Sequence, residues 1–255
     1  FWDQHYQLTT NGKMKMYPAQ ALETLQDAEN PTPDIAGLRW VVSTLLALDE
    51  SQTGHERRDF WQKLLAKTPP LPMTTIDGKT SIIGAAKNFD GRKNVENPEL
   101  YAVFPFRLYG IDKPNLDIGS ATFDRRVEKG SSGWQQDDTQ AAFLGLTKIA
   151  ADFVVNRATT KHEQSRFPVF WGPNYDWIPD QDHGGNLLMA LQTMLLQADD
   201  GKIHLLPAWP ESWDVDFKLH APQNTTVRGQ GKNGMLIDLH ASPESRRKDI
   251  IVHNK

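Results

Sequence analysis

The chain of 255 residues contains no cysteine, which excludes disulfide scaffolds, thiolate nucleophiles and zinc sites built on sulfur. No run approaches the roughly 20 consecutive apolar residues that a membrane-crossing helix requires, so no membrane span is expected. Charge of one sign is scarce too: 28 Lys+Arg against 32 Asp+Glu leave a net charge of −4, which gives no electrostatic footprint for a nucleic acid. A phosphate-cradling glycine loop, a nucleophile elbow and a His-Glu-x-x-His helix are all missing. No initiator Met and no signal-peptide pattern opens the chain, which is expected to be a trimmed product or part of a longer polypeptide. The 38% hydrophobic content is ordinary for a globular protein and excludes a disordered one.

What is present reads as helices first and strands second. Pro31 and Pro33 lead into a stretch with apolar residues at 35, 38, 41, 42, 45 and 46, the period of a one-sided helix. A more charged helix follows from about Thr53 to Lys67 and stops at Pro69-Pro70. Residues 68 to about 97 read as a long loop, and such loops are more often functional than connective. Helical pattern returns at Pro98–Phe104, near 115–128, across Asp137–Asn156 with a break at Gly145, and over Asn186–Gln197. After Gly201 come four short strand patterns near 202–206, 215–219, 225–228 and 235–239, with Asn233-Gly234 as a hairpin turn. The expected fold is therefore mainly α: helical hairpins in series over residues 1–200, as in an α/α toroid or, less well matched, a solenoid, followed by a small antiparallel β region over 201–255.

Three segments combine aromatic rings with carboxylates, the pairing a sugar site needs. Rings stack on the C–H faces of a pyranose, while carboxylates accept hydrogen bonds from its hydroxyls. The richest runs from Phe170 to Gly185 and holds Trp171, Tyr175, Asp176, Trp177, Asp180, Asp182 and His183. Its carboxylates and histidine offer hard metal ligands, but the spacing fits neither an EF-hand loop nor a helical His pair, so no metal and no cofactor is expected. The second carries Glu96 and Glu99 at the junction of the long loop and a helix. A carboxyl group set among aromatics there has its charged form disfavoured, as a general acid requires; Glu99 reads equally well as a first-turn helix charge. The third places Trp134 ahead of Asp137 and Asp138 at a helix start. Tyr17–Glu23 is a weaker example of the same kind. His5, His55, His162 and His253 read as solvated.

On the elements Leu100-Tyr-Ala-Val-Phe-Pro, Gly133-Trp, the Asp182 loop, Met194-Leu-Leu-Gln, Ile203-His-Leu-Leu-Pro-Ala-Trp-Pro and Trp213, the chain resembles the C-terminal part of bacterial enzymes around glycoside hydrolase family 95. These α-L-fucosidases and α-L-galactosidases hold their active site in an (α/α)6 barrel. The resemblance implies part of an (α/α)6 toroid, and an exo-acting hydrolase in which Asp182 helps activate the attacking water. The family's general-acid glutamate falls where this sequence reads Thr80-Ser-Ile-Ile-Gly84, without a carboxylate, so Glu96 or Glu99 is the expected substitute. The family's water-positioning asparagines would precede Phe1, which implies a remaining N-terminal part on the same polypeptide or on another chain. A periplasmic or secreted location is implied by the resemblance alone.

The expected function is inverting cleavage of a terminal sugar from an oligosaccharide or glycan by paired carboxylates. Trp134, Trp171, Tyr175, Asp176, Trp177, Asp180 and His183 would line the sugar. Two alternatives stay open. One is a non-catalytic carbohydrate-binding protein that has lost the acid. The other is a polysaccharide lyase with Tyr175 or His183 as base.

Overall fold

The computed structural model describes residues 1–130, 135–160 and 182–253, without the side chains of residues 182 and 183. It divides into two compact units, Phe1–Lys129 and Gly130–Lys255.

The first unit begins with a short helix α1 (Trp2–His5), then strands β1 (Ala19–Ala21) and β2 (Leu25–Pro31) and helices α2 (Thr32–Ala47), α3 (Glu50–Thr53) and α4 (His55–Lys67). Strands β3 (Met73–Ile76), β4 (Lys79–Ile82) and β5 (Ala85–Asn88) follow, then a 3-10 turn at Pro98–Ala102 and helix α5 (Leu116–Arg125). Proline at the second position of α2 suits a turn whose N–H groups have no intrahelical partner. Of the expected apolar face, Ile35, Leu38 and Val42 are buried against Met14, Met16 and Leu64, whereas Val41 is exposed. Each such side chain contributes about 1.5–3 kcal/mol on leaving water. Gly37 lets α2 approach Phe106, since a Cβ there would stand 2.9 Å from the ring. At the far end of α4 the Thr68 hydroxyl donates to the Leu64 carbonyl at 3.0 Å, and two prolines end the helix.

Residues 68–97 are not the loop expected from their lack of periodicity. They carry β3 and β4 as an antiparallel hairpin, and β5, which joins β1 and β2 in a sheet of order β1-β2-β5. The pairing Ala28↔Asn88 and Pro31↔Ala85 is long-range. Thr122 in α5 donates to the Ile118 carbonyl and accepts from the Ile82 N–H, tying that helix to β4.

The second unit contains α6 (Asp137–Phe143), α7 (Thr147–Thr159) and α8 (Asp182–Leu195), which pack on one another, then β6 (Leu196–Asp199) and β7 (Lys202–Leu205). Strands β8 (Val215–Ala221), β9 (Thr225–Lys232) and β10 (Met235–Ser242) form an antiparallel sheet in the order β10-β9-β8. A last strand, β11 (Ile250–Val252), lies parallel to β7 in a sheet β11-β7-β6. The hairpin turn falls at Asn233-Gly234, whose φ values of 50° and 74° are those of a type I′ turn. Strand β9 alternates strictly, sending Val227 inward to join Leu195, Ile203, Leu205 and Phe217 in the core.

The structure corrects the expectation of a mainly α chain forming part of an (α/α)6 toroid. About 40% of the residues are helical and 26% lie in strands, in four small sheets, and no toroid of helical hairpins is present among the described residues. The physical reason lies in the first unit, where long-range pairing of β2 with β5 builds one sheet and an Asp77-Gly78 turn closes β3 and β4 into a local hairpin. No described helix is long and apolar enough to cross a membrane.

Candidate functional site

Of the expected site residues, Glu96 and Glu99 lie in the first unit with their surroundings described. Trp134, Trp171, Tyr175, Asp176, Trp177 and Asp180 lie outside the described residues. Asp182 and His183 open α8, their side chains also outside the description.

Glu96 sits in the segment between β5 and the 3-10 turn, and this segment is laced down from several sides. Lys93 N–H donates to the Thr24 carbonyl at 2.8 Å. The Asn94 amide donates to Glu23 at 3.0 Å. Asn97 exchanges two bonds with the backbone of Glu128, its amide donating at 2.9 Å and its side-chain oxygen accepting at 3.1 Å. The Arg92 guanidinium donates to the Glu96 carbonyl. The backbone that carries Glu96 is thereby fixed on several sides.

The Glu96 side chain faces two neutral hydroxyls, Tyr101 Oη 3.4 Å from Oε1 and Thr24 Oγ1 3.4 Å from Oε2. Partial burial pushes its pKa up, and the two hydroxyls pull it down by less, with Glu23 adding a further upward push. Burial and the neighbouring Glu96 raise the Tyr101 phenol, which therefore stays a neutral donor. The outcome is a half-buried carboxyl biased toward its protonated form, the state a proton donor must hold before reaction.

Glu99 has a different setting. It lies in the first turn of the 3-10 helix and is 7% exposed. Its carboxyl helps line a cavity of about 450 Å³ with Arg92, Arg125, Ser81 and Thr122. A Cβ on Gly84 would stand 3.6 Å from Glu99 Oε2 and 3.0 Å from Leu25 Cδ1, so glycine at 84 leaves that room. Glu96 is not among the side chains lining this cavity. Residues 80–84, where the resemblance would put the acid, form the end of β4 and its exit, with Ser81 and Ile82 buried.

Sequence reasoning missed Thr24 and Arg92 as neighbours of Glu96. Thr24 is 72 positions away, and no local pattern joins the two. Asp137 and Asp138 lie in the first turn of α6, the helix start expected there, and both are buried; Asp138 pairs with Arg157 at 3.0 Å. His253 is half-buried rather than solvated, its Nε2 lying 2.9 Å from Nδ1 of the buried His204. His5 and His55 are exposed as expected.

No protein-family model matches this chain, and no curated protein sequence matches it.

Proposed function

We propose that the chain belongs to an exo-acting glycosidase that hydrolyses a terminal sugar with inversion, and that Glu96 is its proton donor. The observation that carries the reading is the setting of Glu96: half-buried, raised in pKa by desolvation, and held between two neutral hydroxyls. A general acid must stay protonated near neutral pH and still reach the leaving oxygen. Burial biases the Glu96 carboxyl toward its protonated form, whereas Glu99 is 7% exposed and lies against Gly84. The resemblance assigns activation of the attacking water to Asp182, which keeps that role in the proposal. An α-L-fucoside or α-L-galactoside is the substrate class that the same resemblance suggests.

The mechanism needs only a proton transfer and a water attack. The Glu96 carboxyl gives its proton to the glycosidic oxygen as the C–O bond breaks. Water, deprotonated by the base, attacks the anomeric carbon from the opposite face, so the sugar leaves with inverted configuration. A correctly placed acid contributes about 10²–10⁴-fold, and that gain depends on how poor the leaving group is.

That dependence gives the test. Glu96→Gln should cut turnover of an oligosaccharide by about 10²–10⁴-fold while leaving hydrolysis of a dinitrophenyl glycoside, which needs no protonation, nearly unchanged. Equal loss on both substrates, or no loss on either, removes Glu96 from the role. A second reading, a sugar-binding protein without turnover, is favoured by the absence of any carboxylate across Thr80–Gly84. Calorimetric binding of the sugars without release of product would select it.

A further inference from the structure

We infer that an open groove in the second unit binds a neutral oligosaccharide, at a site that shares no residue with the proposed acid. The groove encloses about 1200 Å³. That exceeds the roughly 300–1,000 Å³ of pockets built for single small molecules and suits several sugar rings in a row.

One wall is a single face of α7. Lys148, Asp152, Val155, Asn156 and Thr159 line the groove, and steps of three and four residues keep them on one side of a helix. The other wall is the segment after β7, with Trp209, Glu211 and Trp213. That segment is fixed before any ligand arrives. Leu206 N–H donates to the Leu195 carbonyl at 2.8 Å, Ala208 N–H to the Met194 carbonyl at 3.1 Å, and Trp213 N–H to the Pro210 carbonyl at 3.1 Å. Trp209 packs on the core of the unit, and its indole N–H donates to the Trp213 carbonyl at 3.0 Å. The two indoles meet edge to face with centroids 5.4 Å apart. The β9–β10 turn abuts the same segment, since a Cβ on Gly234 would stand 3.0 Å from Glu211 Cβ. A wall this constrained loses little entropy on binding.

The chemistry of the lining selects the ligand. Trp213 offers an apolar face to sugar C–H groups and an indole N–H that has no partner among the described residues. Asn156 has an amide nitrogen without a partner among the described residues, and its oxygen accepts only a 3.3 Å bond from Thr160. Asp152 and Glu211 supply carboxylate acceptors for hydroxyls. The only lysine or arginine among the lining residues is Lys148, paired with Asp152 at 2.6 Å. Two carboxylates face one lysine that is already paired, and the lining histidine, His253, sits 2.9 Å from His204, so the lining disfavours a phosphate, sulfate or uronate and fits a sugar without anionic groups.

The test is a titration of the full chain with cellopentaose, xylopentaose, mannopentaose and maltopentaose, followed by the indole N–H resonances of Trp209 and Trp213, with pentagalacturonate as the charged control. At least one neutral pentasaccharide should shift these resonances with half-saturation at or below about 1 mM. Trp213→Ala should weaken that binding at least tenfold. Trp213→Phe and Asn156→Ala should weaken it less, and Glu96→Gln should leave it intact. Should Trp213→Ala fail to fold, the two milder variants and the direct indole shifts carry the comparison. Silence of the indoles with all four neutral sugars, tighter binding of pentagalacturonate, or unchanged affinity in Trp213→Ala would each overturn the inference. Loss of turnover in Glu96→Gln bears only on the glycosidase reading, so the two can fail separately.

Discussion

The Tyr101 hydroxyl lies 3.4 Å from Oε1 of Glu96, a length at which it opposes the effect of burial on the carboxyl only weakly. An O–H···O bond to a carboxylate is strongest near 2.5–2.7 Å, so at 3.4 Å the phenol favours the charged form only weakly. Thr24, at the same distance on the other oxygen, does no better. Desolvation therefore prevails and the pKa stays raised. Tyr101→Phe removes one of the two groups that stabilise the charge, so it should push the Glu96 pKa further up. If Glu96 is the acid, the alkaline limb of the pH–rate profile should move to higher pH while the plateau rate changes little. A limb that stays in place, or moves down, would separate Tyr101 from the titration.

Asp138 and Arg157 form an ion pair whose side chains are 0% and 3% exposed. Arg157 also donates to the Gln135 carbonyl at 2.7 Å, and Asp138 accepts from the Thr139 N–H at 2.8 Å. Burial raises the Asp138 pKa by more than Arg157 and these bonds lower it, which marks the pair as costly to desolvate. Breaking it from one side leaves a buried charge without its partner. Arg157→Ala and Asp138→Ala should each destabilise the second unit by about 3–5 kcal/mol, measured as urea midpoints. The double variant should cost clearly less than the sum. Additive losses would mean that the two groups act independently.

The parts of the fold that could be read from the sequence are those written in local periodicity. Ile35, Leu38 and Val42 mark the buried face of α2, and Asn233-Gly234 gives the β9–β10 turn because only a left-handed pair closes a two-residue hairpin. The break at Gly145 separates α6 from α7. The β3–β4 hairpin is closed by Asp77-Gly78, a turn that the sequence does display. Strands β1, β2 and β5 are different and carry little local signal: segments such as Ala19-Gln-Ala and Leu25-Gln-Asp-Ala-Glu are poor in the β-branched and aromatic residues that fit a sheet, and Ala28 meets Asn88 from 60 positions away. The same limit applies to the site. Glu96 was visible beside its aromatic neighbours in sequence, but Thr24 reaches it only through the fold. The groove beside Trp213 arises because α7 and the segment after β7, far apart in sequence, line one space.

Asp34 occupies the first turn of α2, where a helix dipole welcomes a negative charge by about 0.3–1 kcal/mol. Burial outweighs that gain and raises the carboxyl from 3.8 to about 6. The folded chain thus holds a proton that the unfolded chain has released between those two values, and raising the pH across this window removes stability. Asp34→Asn, which never ionises, should match the parent near pH 3.5 and pull ahead as the pH rises through 6. Partial exposure screens the effect, so the advantage at pH 7 should be about 1–2 kcal/mol. Urea midpoints of both proteins across pH 3.5–7.5 measure it directly. A difference that does not change with pH would assign the raised pKa to some group other than Asp34.

Phe217 lies directly opposite Gly229 in the β8–β9 ladder, and the ring covers the glycine where a side chain would otherwise stand. A Cβ on Gly229 would meet Phe217 Cζ at 2.8 Å and the Asp238 carbonyl oxygen at 2.8 Å. The ring is 6% exposed and packed in the core of the second unit, so it has little room to withdraw, and the carbonyl belongs to the neighbouring strand β10. Gly229→Ala should therefore destabilise by about 1–3 kcal/mol, the usual cost of forcing extra volume into a packed interior. Adding Phe217→Leu should recover part of that loss by vacating the space, although Phe217→Leu alone destabilises. Gly231 provides the comparison: its added Cβ would stand 3.1 Å from Val215 Cγ1 and 3.7 Å from backbone oxygen, so Gly231→Ala should cost less than Gly229→Ala. Equal losses at the two positions would mean that the alternation of β9, rather than the ring over Gly229, sets the tolerance of this sheet.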